Sequence, residues 1–153
     1  MLWEQFKNIA SQILSDHFAP NLIEDNGDSL TFVDRRERLR FFLTESAQGI
    51  TIGDYEERNT VGIIFTSPSI ELATIALTLL VREGLGELVD MDYPPDELLG
   101  PVPGTDYSIT EDRSRGFHLT HKTDSSLRAK CEYFTYARAI AEASAPSPGS
   151  LRP

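Results

Sequence analysis

Residues 67–81 read SPSIELATIALTLLV, and this stretch decides the fold. Ser67 suits a helix N-cap, Pro68 the first helical position and Glu71 the positive end of the helix dipole. From Ile70 to Val81 nearly every residue is apolar: Ile70, Leu72, Ala73, Ile75, Ala76, Leu77, Leu79, Leu80 and Val81. A helix apolar on almost every side needs cover on most sides, which places it across one face of a sheet. Gly84 and Gly86 mark its end.

The sheet is written on both sides of that helix. Upstream the apolar period is two. Ser29 to Val33, Leu39 to Thr44, Ile50 to Ile52 and Val61 to Phe65 read as strands, separated by Asn26-Gly27, Asp34 to Arg36, Gln48-Gly49 and the polar stretch 54–59. Short strands joined by tight turns make an antiparallel meander. Before them, Leu2, Trp3, Phe6, Ile9, Ala10, Ile13, Leu14 and Phe18 recur at spacings of three and four, which predicts an amphipathic helix over 2–18 that Pro20 stops. Downstream, Tyr107 to Thr110, Phe117 to His121 and Leu127 to Cys131 read as further strands, with a hairpin turn at 113–116 and a helix over 134–143. The stretch 85–105 holds four prolines and reads as an irregular surface loop. The expected fold is therefore α+β: an antiparallel β-sheet meander with an N-terminal amphipathic helix, a buried central helix and a C-terminal helix. Residues 1–144 are expected to form one domain, followed by a disordered tail over 145–153.

Composition narrows the class. A chain of 153 residues, 40% hydrophobic and 25% charged, can bury a core without metal or disulfide support. The single cysteine, Cys131, excludes an internal disulfide and a multi-cysteine metal site. No window holds the roughly 20 apolar residues that span a membrane, and the N-terminus lacks the pattern of a signal peptide, so the cytoplasm is the expected location.

Charge is the main functional signal. Between Glu83 and Asp112 there are nine acids and no Lys or Arg, whereas the rest of the chain holds 15 acids against 14 bases. Such a block projects a negative field that favours a basic protein partner and disfavours nucleic acid or an anionic membrane. Arg35, Arg36, Arg38 and Arg40 form a small basic cluster, partly offset by Asp34 and Glu37. Pairing of that cluster with the acid run would make the run a structural partner and not a binding surface.

No catalytic or metal motif is expected. His118 and His121 are three apart on a strand and point to opposite faces, so they cannot share a metal ion. Thr66, Ser67 and Ser69 precede a helix without a glycine-rich loop or a lysine, which leaves capping as their role. Cys131 reads as a buried structural cysteine. No cofactor is implied, and the chain reads as a binding protein and not an enzyme. Two short acidic clusters each contain an aromatic: Asp54-Tyr55-Glu56-Glu57, and Asp92-Tyr93 with Asp90, Asp96 and Glu97 around it. Tyrosine supplies rigid contact area and the acids supply complementarity, so these residues are the expected partner contacts.

The order of elements, together with Pro103-Gly104-Thr-Asp-Tyr107-Ser-Ile109, Gly116-Phe-His-Leu119 and a closing helix around Ala137 to Ser144, resembles the actinobacterial immunity proteins, the family that includes the antitoxin of the tuberculosis necrotizing toxin. The resemblance implies an antitoxin that binds the catalytic domain of a secreted toxin and blocks substrate access. For a toxin that hydrolyses NAD, the cleft must accept pyrophosphate and should be basic, so an acidic loop can occupy it. Two other classes fit the residues: a secretion chaperone or adaptor holding its partner through an apolar groove, and a small-ligand module or enzyme using a pocket between the sheet and the central helix.

Overall fold

Period-two burial along the strands and all-round burial of the central helix are satisfied by two layers, helices on one face of a sheet. The computed structural model describes residues 2–55, 61–89, 94, 96–112 and 116–144. The elements run α1 (Leu2–His17), β1 (Ile23–Asp25), β2 (Ser29–Asp34), β3 (Leu39–Ser46), β4 (Gly49–Tyr55), β5 (Val61–Ser67), α2 (Ile70–Glu83), β6 (Gly100–Pro101), β7 (Tyr107–Glu111), β8 (Phe117–His121), β9 (Arg128–Cys131) and α3 (Phe134–Ser144). The nine strands form one antiparallel sheet in the order β1-β2-β3-β4-β5-β9-β8-β7-β6. The expected α+β class and all three helices are present. The expected tail over 145–153 lies outside the described residues.

Successive hairpins build β1 to β5. The chain then crosses through α2 to the far edge, where β6 opens a second run that returns strand by strand until β9 lies against β5. The seam between the runs is short. Phe65 pairs with Cys131 and Thr66 with Lys130, Glu132 donates its backbone N–H to Ile64, and the Ser67 hydroxyl donates to the Arg128 carbonyl.

That last bond corrects the expected cap. Ser67 ends β5, its hydroxyl accepts from the Ser69 N–H, and Ser69 is the N-cap, accepting from the Leu72 N–H at 3.1 Å. The helix therefore starts two residues later than its serine pattern predicts, because β9 engages the first serine. Of its residues only Glu71, Arg82 and Glu83 are exposed, and α1, α3, β4 and β5 surround the rest. Tyr136 of α3 is fully buried and donates its hydroxyl to the Ala76 carbonyl, so the largest polar side chain of the core is satisfied.

The sheet's covered face carries Leu30, Phe32, Phe41, Leu43, Ile50, Ile52, Phe65, Phe117 and Leu119, all within one core cluster with Phe6, Leu14, Leu77 and Ile140 of the helices. Each such side chain stabilises the fold by about 1.5–3 kcal/mol relative to exposure. A register shift at Ile52/Gly53 lets both Ile64 and Phe65 enter the core while Ile63 stays 46% exposed on the other face. That other face bears no helix among the described residues. Two short strands escaped the sequence reading: β1, at one edge, and β6, at the other. The stretch 85–105 is also more ordered than a plain loop, with 3-10 turns over Leu85–Leu88 and Asp96–Leu98 before β6.

Candidate partner-binding surface

The arginine turn 35–38 and the start of the acid run are held together, and the contact is made through the backbone. Asp34 is buried, and its carboxylate accepts from the Arg36 N–H and pairs with the Arg36 guanidinium, both at 3.0 Å. That guanidinium also donates to the Val81 and Arg82 carbonyls, at 3.3 and 3.5 Å, and so occupies the negative end of α2. The Asp34 hydrogen bond is the main cause that raises the Arg36 pKa above its ordinary value. Beside it, the two Glu37 carboxylate oxygens accept the Leu85 and Gly86 N–H groups at 2.8 and 2.7 Å. Gly84, just before them, has φ +85°, and a Cβ there would come within 2.8 Å of Glu37 Oε1, so only glycine suits this turn. Arg40 pairs with Glu24 at 3.5 Å and lies 5.0 Å above the Tyr55 ring.

The acid run itself divides in two. Glu83 lies 3.8 Å from Arg82, Asp106 pairs with Lys122 at 3.3 Å, and Asp112 holds Lys130 at 3.1 Å and His118 at 2.9 Å. Glu87, Asp96, Glu97 and Glu111 are exposed and form no ion pair among the described residues. No ion pair joins a described acid of the run to Arg35, Arg36, Arg38 or Arg40, although Glu83 adds a weak field at Arg36. Arg36 and Arg40 are therefore used on Asp34, Glu24, Tyr55 and the end of α2, and the four exposed carboxylates stay open to solvent or a partner.

Of the expected contact residues, Asp54 and Tyr55 close β4, where Tyr55 tilts against Phe42 with ring centres 5.4 Å apart. Asp96 and Glu97 sit in the 3-10 turn that leads to β6, at the other end of the order β4-β5-β9-β8-β7-β6. Glu56, Glu57, Asp90, Asp92 and Tyr93 lie outside the described residues. The described members thus fall in two places, Asp54 and Tyr55 at the end of β4, with Tyr55 on the helix-free side and Asp54 in register with Phe41, and Asp96 and Glu97 beside the far edge. Arg36 and Glu37 enter the sequence reading only as part of a basic cluster and its offset, whereas they anchor the base of the acid run through its backbone. The available signal was an acid among arginines facing a Gly-x-Gly step 47 residues on, from residue 37 to residue 84.

The other chemistry-bearing residues are occupied. His118 faces outward, whereas His121 packs edge-on against Tyr107 at 5.1 Å and accepts the Thr123 and Asp124 N–H groups at Nδ1. Cys131 is fully buried, and that burial pushes its thiol pKa far above the ordinary value, so it is not a thiolate nucleophile at neutral pH. Among the described residues no helix is long and apolar enough to cross a membrane.

No protein-family model matches the chain, and no curated protein matches it in sequence. Among solved structures it is similar to Rv3902c from M. tuberculosis, with a TM-score of 0.56 and 13% identity, covering 89% of this chain and 79% of that one. At that identity the likeness is one of fold.

Proposed function

We propose that this chain is an immunity protein, an antitoxin that binds a cognate secreted toxin domain and inhibits it by filling the active-site cleft. The reading assigns it no chemistry of its own. The observation that carries it is the state of the acid run: Glu87, Asp96, Glu97 and Glu111 remain exposed and form no ion pair among the described residues, while Arg36 and Arg40 are engaged elsewhere. A negative field of this kind speeds association with a basic cleft, and a few buried anchors such as Tyr55 then slow release. The family resemblance of the sequence and the shared fold with a mycobacterial protein support the same reading. A toxin that hydrolyses NAD fits best, since a cleft built for pyrophosphate offers the complementary charge.

The test is affinity capture from lysate of the source organism, with the wild-type chain and a Glu87→Lys, Asp96→Lys, Glu97→Lys variant as parallel baits. A basic toxin domain is expected on the wild-type bait, released by moderate salt, depleted from the reversed bait, and inhibited when the wild-type chain is added in equal amount. Equal, salt-resistant capture of one protein on both baits would instead favour an adaptor with an apolar contact, because apolar contacts are little screened.

A further inference from the structure

The helix-free face of the sheet has a chemistry unlike the rest of this acidic chain. Register alone sets Thr44, Thr51, Thr66, Lys130, His118 and Thr110 in one row across β3, β4, β5, β9, β8 and β7. Two residues along β9, on the same face, Arg128 pairs with Thr120 of β8. Where these two rows run side by side the surface dips into a groove of about 390 Å³. Pro68 and the methyl groups of Thr66, Thr110 and Thr120 contribute its apolar lining, the same threonines bring hydroxyls, and Leu119 and Ala129 border it with their side chains buried toward the helices.

The cations here are unevenly balanced. Asp112 Oδ2 holds both Lys130 Nζ, at 3.1 Å, and His118 Nε2, at 2.9 Å. Arg128 is exposed, donates one N–H to the Ser125 carbonyl at 2.7 Å, and has no ion pair among the described residues. A guanidinium presents a planar fork of donors matched to a carboxylate or phosphate, and neighbouring hydroxyls extend such a contact. Apolar lining beside it suits a hydrocarbon or aromatic body, and the volume falls within the roughly 300–1,000 Å³ of small-molecule sites.

We propose that this groove binds a small anionic ligand with an apolar body, its carboxylate or phosphate held by Arg128 and Lys130 and its body lying against Pro68 and the methyl groups of Thr66, Thr110 and Thr120. The site borders the end of the acid run at Asp112 but is opposite in charge to the exposed acids Glu87, Asp96 and Glu97, and it does not depend on the antitoxin reading.

The experiment is an NMR titration of the full chain with acetate, benzoate and inorganic phosphate at constant ionic strength. Benzoate is expected to give saturable shifts at the Thr66, Leu119, Ala129 and Lys130 amides and to bind more tightly than acetate. Arg128→Gln is expected to weaken it about tenfold or more, the loss expected for hydrogen bonds to a charged group, with the rest of the spectrum unchanged. Thr120→Tyr, at the exposed strand position opposite Arg128, fills the groove and is expected to abolish binding. Saturable phosphate binding without benzoate binding would overturn the apolar-body assignment. Shifts linear in anion concentration, or unaffected by both substitutions, would overturn the site.

Discussion

Phe41 and Phe42 are neighbours in β3 that face opposite ways, and they compare the two sides of the sheet. Phe41 is fully buried and stacks on Phe32, with ring centres 5.2 Å apart, beneath the helices. Phe42 is half-buried on the helix-free side, where its ring lies over Gly53 so closely that a Cβ there would meet Phe42 Cζ at 2.3 Å. One phenylalanine is fixed by volume on every side. The other is fixed by a glycine beneath it and a tyrosine beside it, and its outer edge is left to solvent. The covered side therefore specifies the fold, while the open side is shaped for contact and tolerates change.

Substitutions that separate the two sides test this directly. Phe41→Ala is expected to cost about 3–5 kcal/mol in chemical denaturation, through lost burial and a cavity that the helices cannot close. A loss near that expected for Phe42 would erase the distinction. Glu37→Gln sits between the two sides, at the turn that ties β2 and β3 to the acid run. It is expected to cost about 1–3 kcal/mol, since one of the two N–H groups, part-buried Leu85 or exposed Gly86, loses its charged acceptor. Faster amide exchange at Leu85 and Gly86 would locate the loss, and unchanged exchange there would show that the clamp does not hold the run. Phe42→Ala is expected to cost least, roughly 0.5–1.5 kcal/mol, mostly from the ring contact with Tyr55.

What could be read from the sequence follows the range of the interactions. The apolar run Ile70 to Val81, the meander from Ser29 to Phe65 and the strands at 107–110 and 117–121 carry their own periodicity, and each appears where its residues predict. The strand Ile23–Asp25 is three residues long with two acids, and Gly100–Pro101 contains a proline, so neither shows a period. The choice between Ser67 and Ser69 as cap was open locally and was decided by the Arg128 carbonyl on a distant strand. The candidate site divides the same way. The block of acids is visible in composition, whereas the engagement of Arg36 with the end of α2, and of Glu37 with Leu85 and Gly86, joins segments far apart in the chain. The groove beside Arg128 arises from strands that become neighbours only in the folded sheet.

The short seam between β5 and β9 sets how this sheet must close in time. Hairpin pairs such as Leu43 with Ile52, or Ile109 with Leu119, join residues that loop closure brings together cheaply. The seam joins Thr66 to Lys130 through two register pairs and two flanking hydrogen bonds, with α2 and the entire acid run inside the loop it closes. Nearly all the non-local entropy of forming one sheet from two is therefore concentrated at a single narrow junction, and α2, packed under β4 and β5, and α3, packed under β7, β8 and β9, span it from below where the Tyr136 hydroxyl joins them.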